Sequence, residues 1–214
     1  MYDEKFLEID FYKYSKVHKL MLPYVGSEYE KYKVLIVAES HYLGDEEDRE
    51  KVKDFKKWFE DKGEIKLTKN GEKHIETIEV VKNNYDKKPQ PFFSKITKEA
   101  TIEKFWEKVS FMNFFIVPSI NGRRGIKSSI DMEKKSLENF EKVIDILKPN
   151  YILFVSKKSY YIFKKTNSKY LEKTFAFSHP SSCWWSKERK DGKKAKEEFK
   201  EKIEEIFNGK NKKI

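Results

Sequence analysis

Four short, largely apolar runs constrain this chain more than any other feature: residues 33–38 (KVLIVA), 109–117 (VSFMNFFIV), 151–156 (YILFVS) and 174–178 (TFAFS). They do not alternate polar with apolar, as a strand with one wet face would. They read as strands covered on both sides, the condition inside a parallel sheet. Helical periodicity fills the gaps. Residues 46–60 set Val52, Phe55 and Phe59 at helical spacing, and residues 131–147 gather Met132, Leu137, Phe140, Val143, Ile144 and Leu147 ahead of Pro149. Residues 157–165 make a short helix after the third strand, and residues 193–207 carry Phe199, Ile203, Ile206 and Phe207. This alternation predicts an α/β fold: a three-layer α/β/α sandwich with a central four-stranded parallel sheet.

Two stretches fit less well. Residues 61–90 are polar and lysine-rich, punctuated by Gly63, Gly71, Asn83, Asn84 and Pro89, and predict an insertion with a small hairpin around Asn70 and Gly71. Residues 210–214 form a basic tail. No boundary or repeat divides the chain, so residues 1–214 read as a single domain.

Composition narrows the function. Aromatic residues reach 15 %, with 17 Phe and 12 Tyr, enough for a substantial core. No run approaches the ~20 apolar residues of a membrane span. The first ten residues carry Asp3, Glu4, Glu8 and Asp10, unlike a secretion signal, so a cytoplasmic monomer away from membranes is expected. The single cysteine, Cys183, excludes an internal disulfide framework, a four-cysteine zinc site and a four-cysteine iron–sulfur cluster; no metal or other cofactor is expected. Lys and Arg number 46 against 36 Asp and Glu, and the resulting +10 favours a polyanionic partner such as nucleic acid.

In an open parallel sheet, ligands gather beyond the carboxyl ends of the strands. The first run leads into Glu39, Ser40, His41 and Tyr42; the second contains Asn113; the fourth delivers His179, Pro180, Ser181 and Ser182, then Cys183, Trp184 and Trp185. Glu39 is either a structural carboxylate accepting loop amides or a general base with a pKa raised by burial. His41 caps the loop or helps orient water. Asn113 bonds neighbouring loops or reads a ligand's hydrogen-bonding edge. His179 is bonded to nearby main chain or donates to charge building on a leaving group. A serine hydrolase built on Ser40 would need a Gly-x-Ser-x-Gly elbow, which is missing. Trp184 and Trp185 cannot easily share one core face, so at least one should be exposed. Lys187, Arg189, Lys190, Lys193 and Lys194 follow them, and Arg123 and Arg124 lie in a glycine-flanked turn; these are phosphate contacts or ordinary solvated charges.

Taken in order, Ala38-Glu39-Ser40-His41-Tyr42, Phe111-Met112-Asn113-Phe114-Phe115 and His179-Pro180-Ser181-Ser182 resemble the site motifs of the uracil-DNA glycosylase superfamily, across residues 34–185. The resemblance implies base flipping and hydrolysis of an N-glycosidic bond without a metal, leaving an abasic site. It implies that Asn113 reads the base, Tyr42 screens its C5 position, and Phe93, slightly ahead of Phe92, stacks on it. His179 would stabilise the leaving base, while Ser181, Ser182 and the loop with Trp184 and Trp185 would engage and wedge the DNA. Ser40 stands where the best-known members carry a catalytic Asp, so water activation passes to Glu39 or His41. The expected activity is excision of uracil, a deaminated base or a modified base from DNA, in repair or against foreign modified DNA. The alternative is a catalytically silent nucleic-acid-binding protein on the same fold.

Overall fold

The computed structural model describes residues 2–86, 90–121 and 125–211. Its architecture is α/β. Among the described residues five strands form one mixed sheet: β1 (Tyr24–Val25), β2 (Val34–Ala38), β3 (Val109–Asn113), β4 (Tyr151–Phe154) and β5 (Thr174–Ala176), in the order β1-β3-β2-β4-β5. The helices are α1 (Tyr2–Phe6), α2 (Asp10–Lys13), α3 (Lys16–Lys19), α4 (Tyr29–Tyr32), α5 (Glu46–Val52), α6 (Phe55–Phe59), α7 (Lys69–Ile75), α8 (Thr77–Asp86), α9 (Pro91–Ala100), α10 (Ile130–Leu147), α11 (Lys157–Phe163) and α12 (Ala195–Asn211). None of the described helices is long and apolar enough to cross a membrane.

Every residue of β2 is buried, because the strand is flanked by β3 and β4 and covered on both faces. Leu35 and Val37 join a cluster with Phe140, Val143 and Ile144 of α10 and Phe163 of α11. Val34, Ile36 and Ala38 join a second cluster with Phe93 and Ile96 of α9 and Phe199 and Ile203 of α12. Continuous apolar sequence is what a strand between two helical layers requires.

The expected all-parallel, four-stranded sheet is corrected in one respect. The four apolar runs do supply neighbouring parallel strands, but β1 adds a fifth, antiparallel to β3, with Tyr24 opposite Phe111 and Val25 opposite Ser110. The Ser110 hydroxyl donates to the Tyr24 carbonyl (2.6 Å), and the Gly26 amide to the Val109 carbonyl (3.0 Å). Pairing satisfies main-chain groups that an open β3 edge would leave bare. Gly26 permits it, since a Cβ there would lie 2.4 Å from the Glu107 carbonyl oxygen.

Two helical expectations also change. Residues 46–60 form not one helix but α5 and α6, because the Asp54 side chain accepts the Lys57 amide (3.1 Å) and starts a new helix. The hairpin expected around Asn70 and Gly71 is instead α7, capped by Thr68, whose hydroxyl accepts the Gly71 amide (3.1 Å). The fully buried Asp48 carboxylate accepts the Thr68 amide (2.8 Å) and hydroxyl (2.5 Å), and a Cβ on Gly71 would stand 2.1 Å from Asp48 Oδ2. Ile75 and Val81 then anchor α7 and α8 in the two clusters. Glycine therefore marks close packing here rather than a turn. Gly71→Ala should destabilise the fold by about 1–3 kcal/mol in urea denaturation, despite alanine's better helix propensity, because the buried carboxylate cannot retreat.

Candidate active site

The parallel register brings strand ends to one rim. Ala38 pairs with Asn113, Val37 with Phe154, and Phe154 with Ala176, so the residues just past β2, β4 and β5 emerge beside the end of β3. Glu39, Ser156 and His179 arrive by this route.

Glu39 is half-buried and held at both oxygens. Oε1 accepts the Ile126 amide (3.2 Å) and Oε2 accepts the Ser156 hydroxyl (3.0 Å). The Ser156 oxygen also accepts the Ser159 amide (3.3 Å) in the first turn of α11, so the carboxylate is tied to a helix start through one hydroxyl. Gly125, at φ +78°, lies against it; a Cβ there would be 2.9 Å from Oε1. The carboxylate does accept a loop amide, and the same bonds fix its position at the rim.

His179 is half-buried, and its Nδ1 accepts the Ser181 amide (3.1 Å). A ring nitrogen that accepts carries no proton, so the neutral imidazole is protonated at Nε2. Burial pushes the pKa below the ordinary 6.5; the Glu39 carboxylate opposes this and the Lys95 ammonium reinforces it. The ring is neutral at pH 7. Phe92 packs on it with centroids 5.1 Å apart, whereas Phe93 turns into the core against Trp106 and Phe111. The aromatic at the rim is thus Phe92, although sequence had slightly favoured Phe93. Asn113 ends β3 half-buried, with no side-chain hydrogen bond among the described residues.

His41 is directed elsewhere. Its ring is buried, Nε2 lies 3.0 Å from the Thr77 hydroxyl at the start of α8, and burial lowers its pKa to about 4. Ser40, half-buried, sits between it and Glu39, and Tyr42 is exposed, bridged through its main chain to Ser119. Arg123 and Arg124 lie outside the described residues.

The tryptophan pair divides. Trp184 is 51 % exposed and Trp185 1 %, the latter packed on Phe199 of α12. Ser182 accepts the Trp184 amide (3.2 Å) and starts the turn that presents the indole; Ser181 is exposed beside it. Lys187 Nζ lies 4.8 Å above the Trp184 ring. Lys190 and Lys193 are exposed, while Arg189 is engaged by Glu198 (2.5 Å) and Asp191 (3.1 Å), and Lys194 by Glu197 (3.1 Å).

Sequence reasoning missed two residues at this rim. Ser156, a serine between a strand and a helix, carries the signal of an N-cap. Lys95, whose Nζ donates to the Pro180 carbonyl (2.9 Å), offers only its spacing of three from Phe92 on α9. Among the described residues no group of three or more His, Cys, Asp or Glu could hold a metal ion. A cleft of about 270 Å³ lies beside the rim, lined by apolar residues including Val52, Phe55, Val117 and Ile126; a larger open one, about 570 Å³, lies away from it at Lys148, Lys169 and Lys173. Comparison with protein-family models and with curated proteins gave no match.

Two outcomes follow from these burials. Burial also lowers the His18 pKa to about 4, as for His41. The unfolded chain, with its histidines near 6.5, therefore binds protons first as pH falls; stability is full above pH 6.5 and declines down to about pH 4. Each histidine contributes a loss of roughly 3 kcal/mol. Urea denaturation from pH 7 to pH 4 should show this fall, and His18→Gln should flatten its slope. Separately, Trp185→Ala should cost about 3–5 kcal/mol of stability. Trp184→Ala, at an exposed indole, should leave stability nearly unchanged; urea denaturation of the two variants checks both.

Proposed function

We propose that this chain is a monofunctional DNA glycosylase of the uracil-DNA glycosylase type, excising uracil, a deaminated base or a modified base. The observation that carries the reading is His179. Its Nδ1 is occupied by the Ser181 amide, so a neutral ring offers Nε2–H as a donor, beside the half-buried Phe92. As the glycosidic bond breaks, its electron pair moves onto the base and negative charge accumulates on a ring oxygen. A fixed donor aimed there lowers the barrier. Phe92 gives the flipped base a face to stack on, and the Asn113 amide offers a donor and an acceptor to its edge.

Glu39 supplies the base for water. Each carboxylate oxygen has two lone pairs, and one hydrogen bond to each leaves acceptor capacity on both. A carboxylate held this way can orient water toward the sugar's anomeric carbon and take its proton. Ser40 can orient water without holding its proton. Trp184 and the neighbouring Lys187 suit a wedge flanked by phosphate contacts.

One observation favours a second reading, a catalytically silent nucleic-acid-binding protein. Both Glu39 oxygens already serve the surrounding loops, and the neighbouring position holds Ser40 rather than a carboxylate. A panel of oligonucleotides with different bases, scored for released base and alkali-labile sites, separates the two. On the responsive substrate His179→Ala should cost about a hundredfold or more in single-turnover rate. Glu39→Gln should keep DNA binding and lose turnover, and Ser40→Ala should be milder than either. Binding without base release on every substrate would leave the silent reading standing.

A further inference from the structure

We propose that Lys95 is a positioning residue for His179: from α9 it holds, through the Pro180 carbonyl, the peptide unit whose amide fixes the imidazole. This rests on the reading of His179 as the donor to a departing base, and it identifies what sets that donor's tautomer.

The Pro180 carbonyl and the Ser181 amide belong to one peptide unit. In a trans peptide they point to opposite sides. Lys95 Nζ donates to the carbonyl at 2.9 Å, and the amide donates to His179 Nδ1 at 3.1 Å. The ammonium thus prevents this peptide from rotating, and it polarises the unit so that the N–H becomes a better donor. A second bond closes the turn, from the Ser182 amide to the His179 carbonyl (2.8 Å). Phe92, one turn before Lys95 on the same helix, packs against the ring. One face of α9 therefore grips both the imidazole and the peptide that orients it.

Lys95 makes no salt bridge with a carboxylate among the described residues, and its hydrogen bond goes to a neutral carbonyl. The charged groups acting on the imidazole are Glu39, which favours the protonated ring, and Lys95, which favours the neutral one; burial acts with Lys95. Removing the ammonium should let the pKa of His179 rise and loosen the choice of tautomer.

The test is long-range proton–nitrogen correlation NMR on histidine-labelled protein, titrated from about pH 8 to about pH 4, with His179 identified by its absence in His179→Gln. Wild type should show the Nε2–H tautomer titrating below the ordinary value near 6.5. Lys95→Met should raise the pKa by about half a unit or more and admit the Nδ1–H form. Lys95→Arg should restore both. Lys95→Gln, which keeps an N–H donor without the charge, should raise the pKa, and it decides the matter if Lys95→Met does not fold. A wild-type titration and tautomer in Lys95→Met, or a wild-type pKa in Lys95→Gln, overturns the proposal. Base release is scored separately: an active wild type with a silent titration removes Lys95 and keeps the function. The expected NMR shift with no base released from any oligonucleotide keeps Lys95 and removes the function.

Discussion

The pairing of β2 with parallel neighbours on both sides is the constraint on which the candidate site depends. Leu35 and Val37 face one helical layer and Val34, Ile36 and Ala38 the other, so a slip of one residue would exchange the two faces. That exchange would push the methyl-sized Ala38 and bulky Leu35 into the wrong layers. It would also displace Glu39 from Ile126 and Ser156, and Asn113 from its place opposite Ala38. A fully buried apolar strand thereby fixes the geometry of a polar corner.

Charge at the rim is arranged in opposition. A carboxylate beside an imidazole ordinarily draws a proton onto it, and the resulting ion pair would turn the ring toward Glu39. Burial and the Lys95 ammonium work the other way and keep the ring neutral. Neutrality matters for the proposed chemistry. A neutral ring with Nδ1 already accepting has one remaining function, donation from Nε2. In that chemistry the ring would stabilise a developing anion without first being desolvated as a cation.

The parallel strands were legible because β2, β3 and β4 are largely buried and leave few polar residues to break the apolar pattern, and strand ends then located Glu39, Asn113 and His179. Shorter signals failed. Two residues, Tyr24 and Val25, cannot display a period, so β1 was invisible. Gly71 in a polar stretch looks like a turn until the buried Asp48 it accommodates is seen. Adjacent aromatics are a related ambiguity: Phe92 and Phe93 sit about 100° apart on a helix, and local sequence does not say which faces the rim. The tryptophan pair was easier, since two neighbouring indoles must diverge. Lys95 was hidden because its partner, a main-chain carbonyl, lies 85 residues away and leaves no mark on composition.

The net charge of +10 is a poor guide to where a polyanion would bind. Many lysines are paired with a glutamate three or four residues away, among them Lys51 with Glu47, Lys53 with Glu50, Lys104 with Glu107 and Lys200 with Glu204. Such pairs are nearly neutral at a distance, and solvent and salt screen what remains. Three lysines beside the rim are bonded differently. Lys95 donates to the Pro180 carbonyl, Lys158 donates to the Ile126 carbonyl (2.6 Å) and lies over Phe115, and Lys187 lies over Trp184. A carbonyl or a ring orients an ammonium without cancelling its charge. Each of the three also touches a segment the site depends on: the His179 turn, the residue whose amide holds Glu39, and the exposed indole. What these lysines can offer a polyanion therefore depends on how they are partnered rather than on how many the chain carries.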